Sequence, residues 1–204
     1  MPLRVVVLLS GSGTTLQNLI DHIARGALDA RITGVVSSRA GVYGLERARL
    51  AGIPAATVPR KAYADDAAFN ADLWREIRGM GADLVVLAGF MSLITVPEDF
   101  HNRIINVHPA LIPAFCGHKM YGHHVHEAVL AFGAKVSGAT VHFVDDQYDH
   151  GPIILQKCVP VLDDDTPDTL ADRVQAAERE IYPQALQLIA EGRVTVEGRR
   201  VRVR

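Results

Sequence analysis

Apolar residues along this chain come in short continuous runs, and the stretches between them carry helical spacing. Leu3-Arg-Val-Val-Val-Leu-Leu9 is β-branched and nearly unbroken, as in a strand buried on both faces. Residues 11–15 mark a turn. Leu16, Leu19, Ile20 and Ile23 then recur at intervals of three and four and predict a helix. Further strands are expected at 32–37, 55–58, 84–88 and 104–107, with helices over 43–51 and 64–78. The second half predicts a helix over 122–132, then strands over 137–144 and 152–161 joined by a loop carrying Asp149. A long helix follows Thr166-Pro167-Asp168, with Thr166 as capping hydroxyl and Pro167 at the first helical position. Leu170, Val174, Ala177, Ile181, Ala185 and Leu188 form its apolar stripe, and Pro183 is expected to kink it. The alternation predicts an α/β fold, a doubly wound, mostly parallel Rossmann-like sheet with helices on both faces. No linker or repeat interrupts it, so residues 1–204 are expected to form a single domain.

Composition narrows the partners. With 49% hydrophobic and 22% charged residues and a formal net charge of −2, the chain has an ordinary globular balance and no basic field to attract nucleic acid or membrane. No apolar stretch reaches transmembrane length and no signal-peptide pattern opens the chain, so a cytoplasmic location is expected. Cys116 and Cys158 are expected to be free thiols. The neighbours of Cys116, Phe115 and Gly117, supply no base, which argues against a nucleophile. The terminal Arg199-Arg-Val-Arg-Val-Arg204 is expected as an edge strand protected by its charges.

Two segments carry candidate chemistry. Asn106-Val107-His108-Pro109 ends the apolar run at Ile104-Ile105, and on a strand residues 106 and 108 share a face. Asp149-His150-Gly151-Pro152 lies beside another apolar run. Together Asn106, His108 and Asp149 can stabilise an oxyanion and move a proton, with the Asp149 carboxylate favouring a protonated His108. The second feature is Ser10-Gly11-Ser12-Gly13-Thr14-Thr15, between the first strand and the first helix. Glycines allow close approach of an anion, and the helix N-terminus offers unpaired amides with a favourable dipole. A dinucleotide fingerprint would need a third glycine near Leu16 and an acid about twenty residues on, and a nucleoside triphosphate loop would need Gly-Lys-Ser/Thr. Neither is present, so a phosphomonoester fits best.

At this point the chain closely resembles the phosphoribosylglycinamide formyltransferases, folate-dependent enzymes of purine synthesis. The matching segments are Ser10–Gln17, Gly44-Leu-Glu-Arg-Ala48, Val85–Met91, Ile105–Pro113, Val141-His-Phe-Val144, Asp149-x-Gly-Pro-Ile-Ile-Leu-Gln156 and Val174-Gln-x-x-Glu178. The Asn-x-His-Pro-x-Leu-x-Pro segment is shared among formyl-tetrahydrofolate enzymes; the Gly-Ser-Gly loop with Gln175 and Glu178 points to this family. The resemblance implies the formyltransferase fold, with a phosphate-binding half over 1–100 and a folate-binding and catalytic half over 101–204. It implies formyl transfer from 10-formyltetrahydrofolate, without a metal, to the amine of glycinamide ribonucleotide. Asn106, His108 and Asp149 would be catalytic. Gly11, Ser12, Gly13, Thr14 and Thr15 would hold the phosphate, and Gln175 and Glu178 would meet the ribose and amine. Met91, Leu93, Ile94, Val144 and Asp145 would enclose the pteridine. Small molecules are then the expected partners of a monomer or homodimer. The chain departs from the family pattern at Cys116, where many members have proline, at Ser92, where some carry an arginine for the folate tail, and at His150, where some have glycine. Lys119 and Arg60 are the cations that can substitute at the tail.

Other features read as structural. His118, His123, His124 and His126 lack metal-ligand spacing and are expected in a solvated loop and helix start. Asp163-Asp164-Asp165 is expected as favourable charge before a helix. Phe69 and Trp74 are expected in the core, and His142 either as a core histidine or, the preferred reading, as a partner behind the proposed site. A deformylase of the same superfamily is the nearest rival reading, since it would share the Asn-x-His-Pro segment. A methionyl-tRNA formyltransferase is expected to carry an extra C-terminal domain, and a non-catalytic nucleotide-binding module leaves Asn106, His108 and Asp149 without a purpose.

Overall fold

The computed structural model describes residues 1–204. In chain order it runs β1 (Leu3–Leu9), α1 (Thr14–Ala24), β2 (Ala30–Ser37), α2 (Tyr43–Leu50), β3 (Ala55–Thr57), α3 (Asp66–Gly79), β4 (Leu84–Leu87) and β5 (Ile104–His108). Then come α4 (His123–Phe132), β6 (Val136–Phe143), β7 (Ile153–Pro160), α5 (Pro167–Ala190), β8 (Val194–Glu197) and β9 (Arg200–Val203). Seven strands form one sheet in the order β3-β2-β1-β4-β5-β6-β7. Strand β1 pairs in parallel with β2 and β4, β2 in parallel with β3, and β7 runs antiparallel to β6. This is the expected mostly parallel α/β sheet.

The chain divides into two compact units, Met1–Ile105 and Asn106–Arg204. In the first, Val5 to Leu9 are all at most 1% exposed, which explains the unbroken apolar run: β1 is covered on both faces. Leu16 and Leu19 of α1 and Phe69, Leu73 and Ile77 of α3 are buried as well, each such side chain contributing roughly 1.5–3 kcal/mol. Helix α3 starts where Asp65 accepts a hydrogen bond from the Ala68 amide at 2.8 Å. Trp74 is buried as expected, and its indole N–H finds the Thr95 carbonyl at 2.9 Å.

In the second unit α5 packs on β6 and β7, and α4 on α5. The predicted stripe of α5 is buried along its length. Thr166 caps the helix in a reciprocal box with Thr169, and the helix continues through a buried Pro183 to Ala190. Asp165 does more than place charge before the helix. It grips Arg173 with both oxygens at 2.7 and 2.9 Å and accepts from the Leu162 amide, and these contacts hold its carboxyl well below the ordinary carboxylate range. The C-terminal alternation also differs from expectation. β9 is half of a separate two-stranded hairpin with β8, in which Glu197 faces Arg200 across a Gly198-Arg199 turn. Gly198 has φ +59°, the left-handed first position that such a two-residue turn needs.

Candidate active site

Strand β5 ends by delivering Asn106 and His108, and the β6–β7 loop delivers Asp149. His108 is 3% exposed. Its Nδ1 lies 3.4 Å from Asp149 Oδ2, and its Nε2 lies 2.8 Å from the Phe115 carbonyl. Both ring nitrogens thus face oxygen; a neutral imidazole donates to one of them, a protonated one to both. Asp149 Oδ2 also accepts from the Gly117 amide at 3.0 Å. Phe115 carries no sequence signature for this contact, because a backbone carbonyl makes it, at φ +50°.

His142, expected behind the site, is there. Its Nδ1–H donates to the Phe143 carbonyl at 2.7 Å, so Nε2 is the acceptor that faces Asn106 Nδ2 at 3.4 Å. Burial lowers its pKa, although the Phe143 carbonyl and Asp149 pull the other way. A neutral His142 therefore orients the Asn106 amide. Asp149 Oδ1 lies 3.7 Å from the same Nε2. Behind His108 a buried polar knot fixes the following segment. Thr140 Oγ1 donates to the Ala110 carbonyl and accepts from the Ile112 amide, while the Gln156 side chain donates to the Ile112 carbonyl. Thr140 and Gln156 were not singled out as single residues by their pattern.

Asp149 is held at φ +52°, a left-handed conformation that few side chains other than Asp and Asn tolerate. Two residues on, Gly151 presses against the strand it returns to: a Cβ there would lie 1.9 Å from the Phe143 carbonyl oxygen. Asp145 closes the loop on itself, accepting from the Gln147 amide at 2.9 Å and from His150 Nδ1 at 2.7 Å.

The first unit holds the glycine loop. Gly13 is the N-cap of α1 at φ 72°, with no side-chain cap on the first-turn amides, which are thus unspoken for. Two contacts from α2 shape the loop: the Gly44 amide donates to the Gly11 carbonyl at 3.1 Å, and Arg47 Nε donates to the Ser12 carbonyl at 3.0 Å. A Cβ on Gly13 would meet the Gly44 Cα at 2.7 Å, so close approach as well as φ requires glycine. Arg47 thus places a cation directly behind the glycine loop. Ser10, buried, accepts from the Met91 amide at 2.9 Å and shares a hydrogen bond with Ser38.

The remaining residues are less uniform. Gln175 is exposed on α5 and Glu178 partly buried, where desolvation pushes its carboxyl up to about 7. Met91 and Leu93 present apolar surface, but Ile94 is 4% exposed and packs inward. Val144 and Asp145 are half-buried at the end of β6. His123 and His124 are solvated as expected, while His126 is not: it is 3% exposed, and its Nδ1 has no partner. Burial, with His123 and His108 nearby, lowers its pKa. No group of three or more His, Cys, Asp or Glu side chains is placed to hold a metal ion. Both cysteines are free. Burial and the Asp149 charge raise Cys116, the reverse of what a nucleophile needs. No helix is long and apolar enough to cross a membrane.

Residues 3–186 match the family described as Formyl transferase. The chain is similar to glycinamide ribonucleotide transformylase 1 from Symbiobacterium toebii, with 48% identity, TM-score 0.93, and coverage of 99% of this chain and 94% of that one. It is 39% identical to the phosphoribosylglycinamide formyltransferase of Escherichia coli (strain K12), over 94% of this chain and 89% of the relative. It is also 43% identical to the trifunctional purine biosynthetic protein adenosine-3 of Bos taurus over 94% of its own length, and spans 19% of that longer protein.

Proposed function

Because the chain belongs to the phosphoribosylglycinamide formyltransferase family, we propose that it transfers the formyl group of 10-formyltetrahydrofolate to the amine of glycinamide ribonucleotide. The observation that supports this most is the buried His108 between the Asp149 carboxylate and the Phe115 carbonyl, with Asn106 oriented beside it. In the transfer the amine nitrogen bonds to the formyl carbon and the carbon–folate nitrogen bond breaks. The amine gives up one proton, and the folate nitrogen takes one up.

Negative charge develops on the formyl oxygen, and a preset donor there lowers the barrier. Asn106 supplies its second amide N–H. His108 supplies Nε2–H, which must exchange the Phe115 carbonyl for the new oxyanion, while Asp149 steadies Nδ1. Asp149 is also the base within reach of the amine proton, directly or through one water. In the acceptor half of the reading, Gly11, Ser12, Gly13, Thr14 and Thr15 hold the phosphate, and Gln175 and Glu178 meet the ribose and amine. Met91, Leu93, Val144 and Asp145 line the pteridine, with Ile94 supporting them from within.

The test follows folate absorbance on incubation with 10-formyltetrahydrofolate, with and without glycinamide ribonucleotide. Turnover that needs the ribonucleotide is expected. Turnover without it would favour a deformylase, and none in either case a binding module. Asn106→Ala, His108→Ala and Asp149→Ala should each lose at least about 10²-fold in turnover with unchanged circular dichroism; near-normal turnover would remove that residue from the mechanism.

A further inference from the structure

The C-terminal hairpin reaches the Asp149 loop through one side chain. Arg199, at the turn between β8 and β9, donates from Nη2 to the His150 carbonyl at 2.7 Å and sets Nη1 against the His150 ring, 3.0 Å from Nε2 and 3.4 Å from Nδ1. The His150 ring is held on its other side by Asp145, whose Oδ2 lies 2.7 Å from Nδ1. The carbonyl that Arg199 grips belongs to the residue after Asp149, whose backbone sits at φ +52°. On its far side the loop is pinned by Gly151 against Phe143. Asp149 therefore lies between two fixed points, one of them supplied by the hairpin.

We propose that Arg199 is a positioning residue for the reaction: through the His150 carbonyl and ring it holds the Asp149 loop in the register that sets Asp149 against His108. The chemistry argues for a guanidinium at this place. Its planar fork meets a carbonyl and a ring nitrogen at once, which a lysine cannot do. The hairpin is a small separate sheet, and holding the loop gives it a part in the site. The kinetic half of this inference rests on the formyl-transfer reading; the loop half does not.

Two measurements keep them distinguishable. In substrate-free protein, hydrogen exchange reports the Gln147 amide, bonded to Asp145, and the Gly117 amide, bonded to Asp149. Arg199→Ala should speed both about tenfold, the equivalent of about 1.4 kcal/mol. In the folate assay the same variant should lose about tenfold in kcat/KM for the formyl donor, with KM for the phosphorylated amine within about twofold of wild type. Arg199→Lys should recover part of the loss, and Arg202→Ala, on the same hairpin but paired with Glu197, should change neither readout. Unchanged exchange in Arg199→Ala overturns the proposal. So does faster exchange with unchanged kinetics in a protein whose wild type turns over. If the wild type does not turn over, the functional reading fails, and faster exchange in Arg199→Ala still supports the hold on the loop.

Discussion

Replacing Glu178 with glutamine should make the protein more stable, but only above about pH 5. Glu178 sits on α5 with Val174, Ile181 and Tyr182 one turn away, all of them buried. Desolvation raises its carboxyl from the ordinary 4.5 to about 7, against a smaller opposing pull from Arg179. The unfolded chain releases this proton near its ordinary value, whereas the folded chain keeps it until about pH 7. Between those values the folded state binds more protons, so stability falls as pH rises and levels off above. At about 1.4 kcal/mol per pH unit the full effect is near 3 kcal/mol, and partial exposure reduces it to about 2 kcal/mol. Glutamine cannot ionise. The two proteins should therefore differ little at pH 5 and diverge through pH 7, the variant gaining about 4–8 °C at pH 8. Thermal melts across pH 5–8 read this directly. A melting difference that is the same at pH 5 and pH 8 would refute the reasoning. On the proposed role, the stabilised variant should also show a raised KM for glycinamide ribonucleotide.

Two other substitutions and one modification probe separate parts of the structure. Gly151→Ala places a methyl 1.9 Å from a backbone oxygen and should cost about 3 kcal/mol, read as a lower urea midpoint; an unchanged midpoint would mean the loop can shift off Phe143. Arg47→Met removes the cation bonded to the Ser12 carbonyl and should weaken competitive inhibition by inorganic phosphate about tenfold, while equal inhibition constants would take Arg47 out of anion binding. Iodoacetamide at pH 7.5 should modify exposed Cys158 well before Cys116, whose thiol is raised by burial and Asp149; peptide mapping in which Cys116 reacts first would contradict that ordering.

Much of the first unit was legible because its signals are local. An unbroken apolar run means a strand covered on both faces, and β1 is one; glycines before a helical period mean a turn into a helix, and Gly13 caps α1 without a side chain. Arg47 was not legible, because it reaches Ser12 from another element and nothing in its own segment marks the contact. That Asn106, His108 and Asp149 lie close together follows from their strand-end positions, and the place of His142 beside them from its position inside a neighbouring strand. Phe115 could not be found that way, since a main-chain carbonyl carries no side-chain signature. His126 was misjudged with its exposed neighbours because it follows Val125 on the face that α4 turns inward. The hairpin was half seen: Arg-Val alternation marked β9, and Val194-Thr-Val-Glu197, which alternates just as well, was passed over.

The three buried histidines of the second unit show how burial decides what Asp149 can do. Its carboxylate has one oxygen 3.4 Å from His108 and the other 3.7 Å from His142. Were both rings charged, the carboxylate would be shared between two cations and would hold neither firmly. Burial disfavours the charged form of His142, and its one proton is committed to the Phe143 carbonyl. The bare Nε2 then accepts from Asn106 and offers Asp149 Oδ1 no donor, so Oδ2 is left to His108 and the Gly117 amide. Burial also disfavours charge on His126, which keeps a third cation away from His108. With charge disfavoured on His142 and His126, His108 is the ring that faces Asp149 Oδ2, and Asp149 meets it from a left-handed backbone.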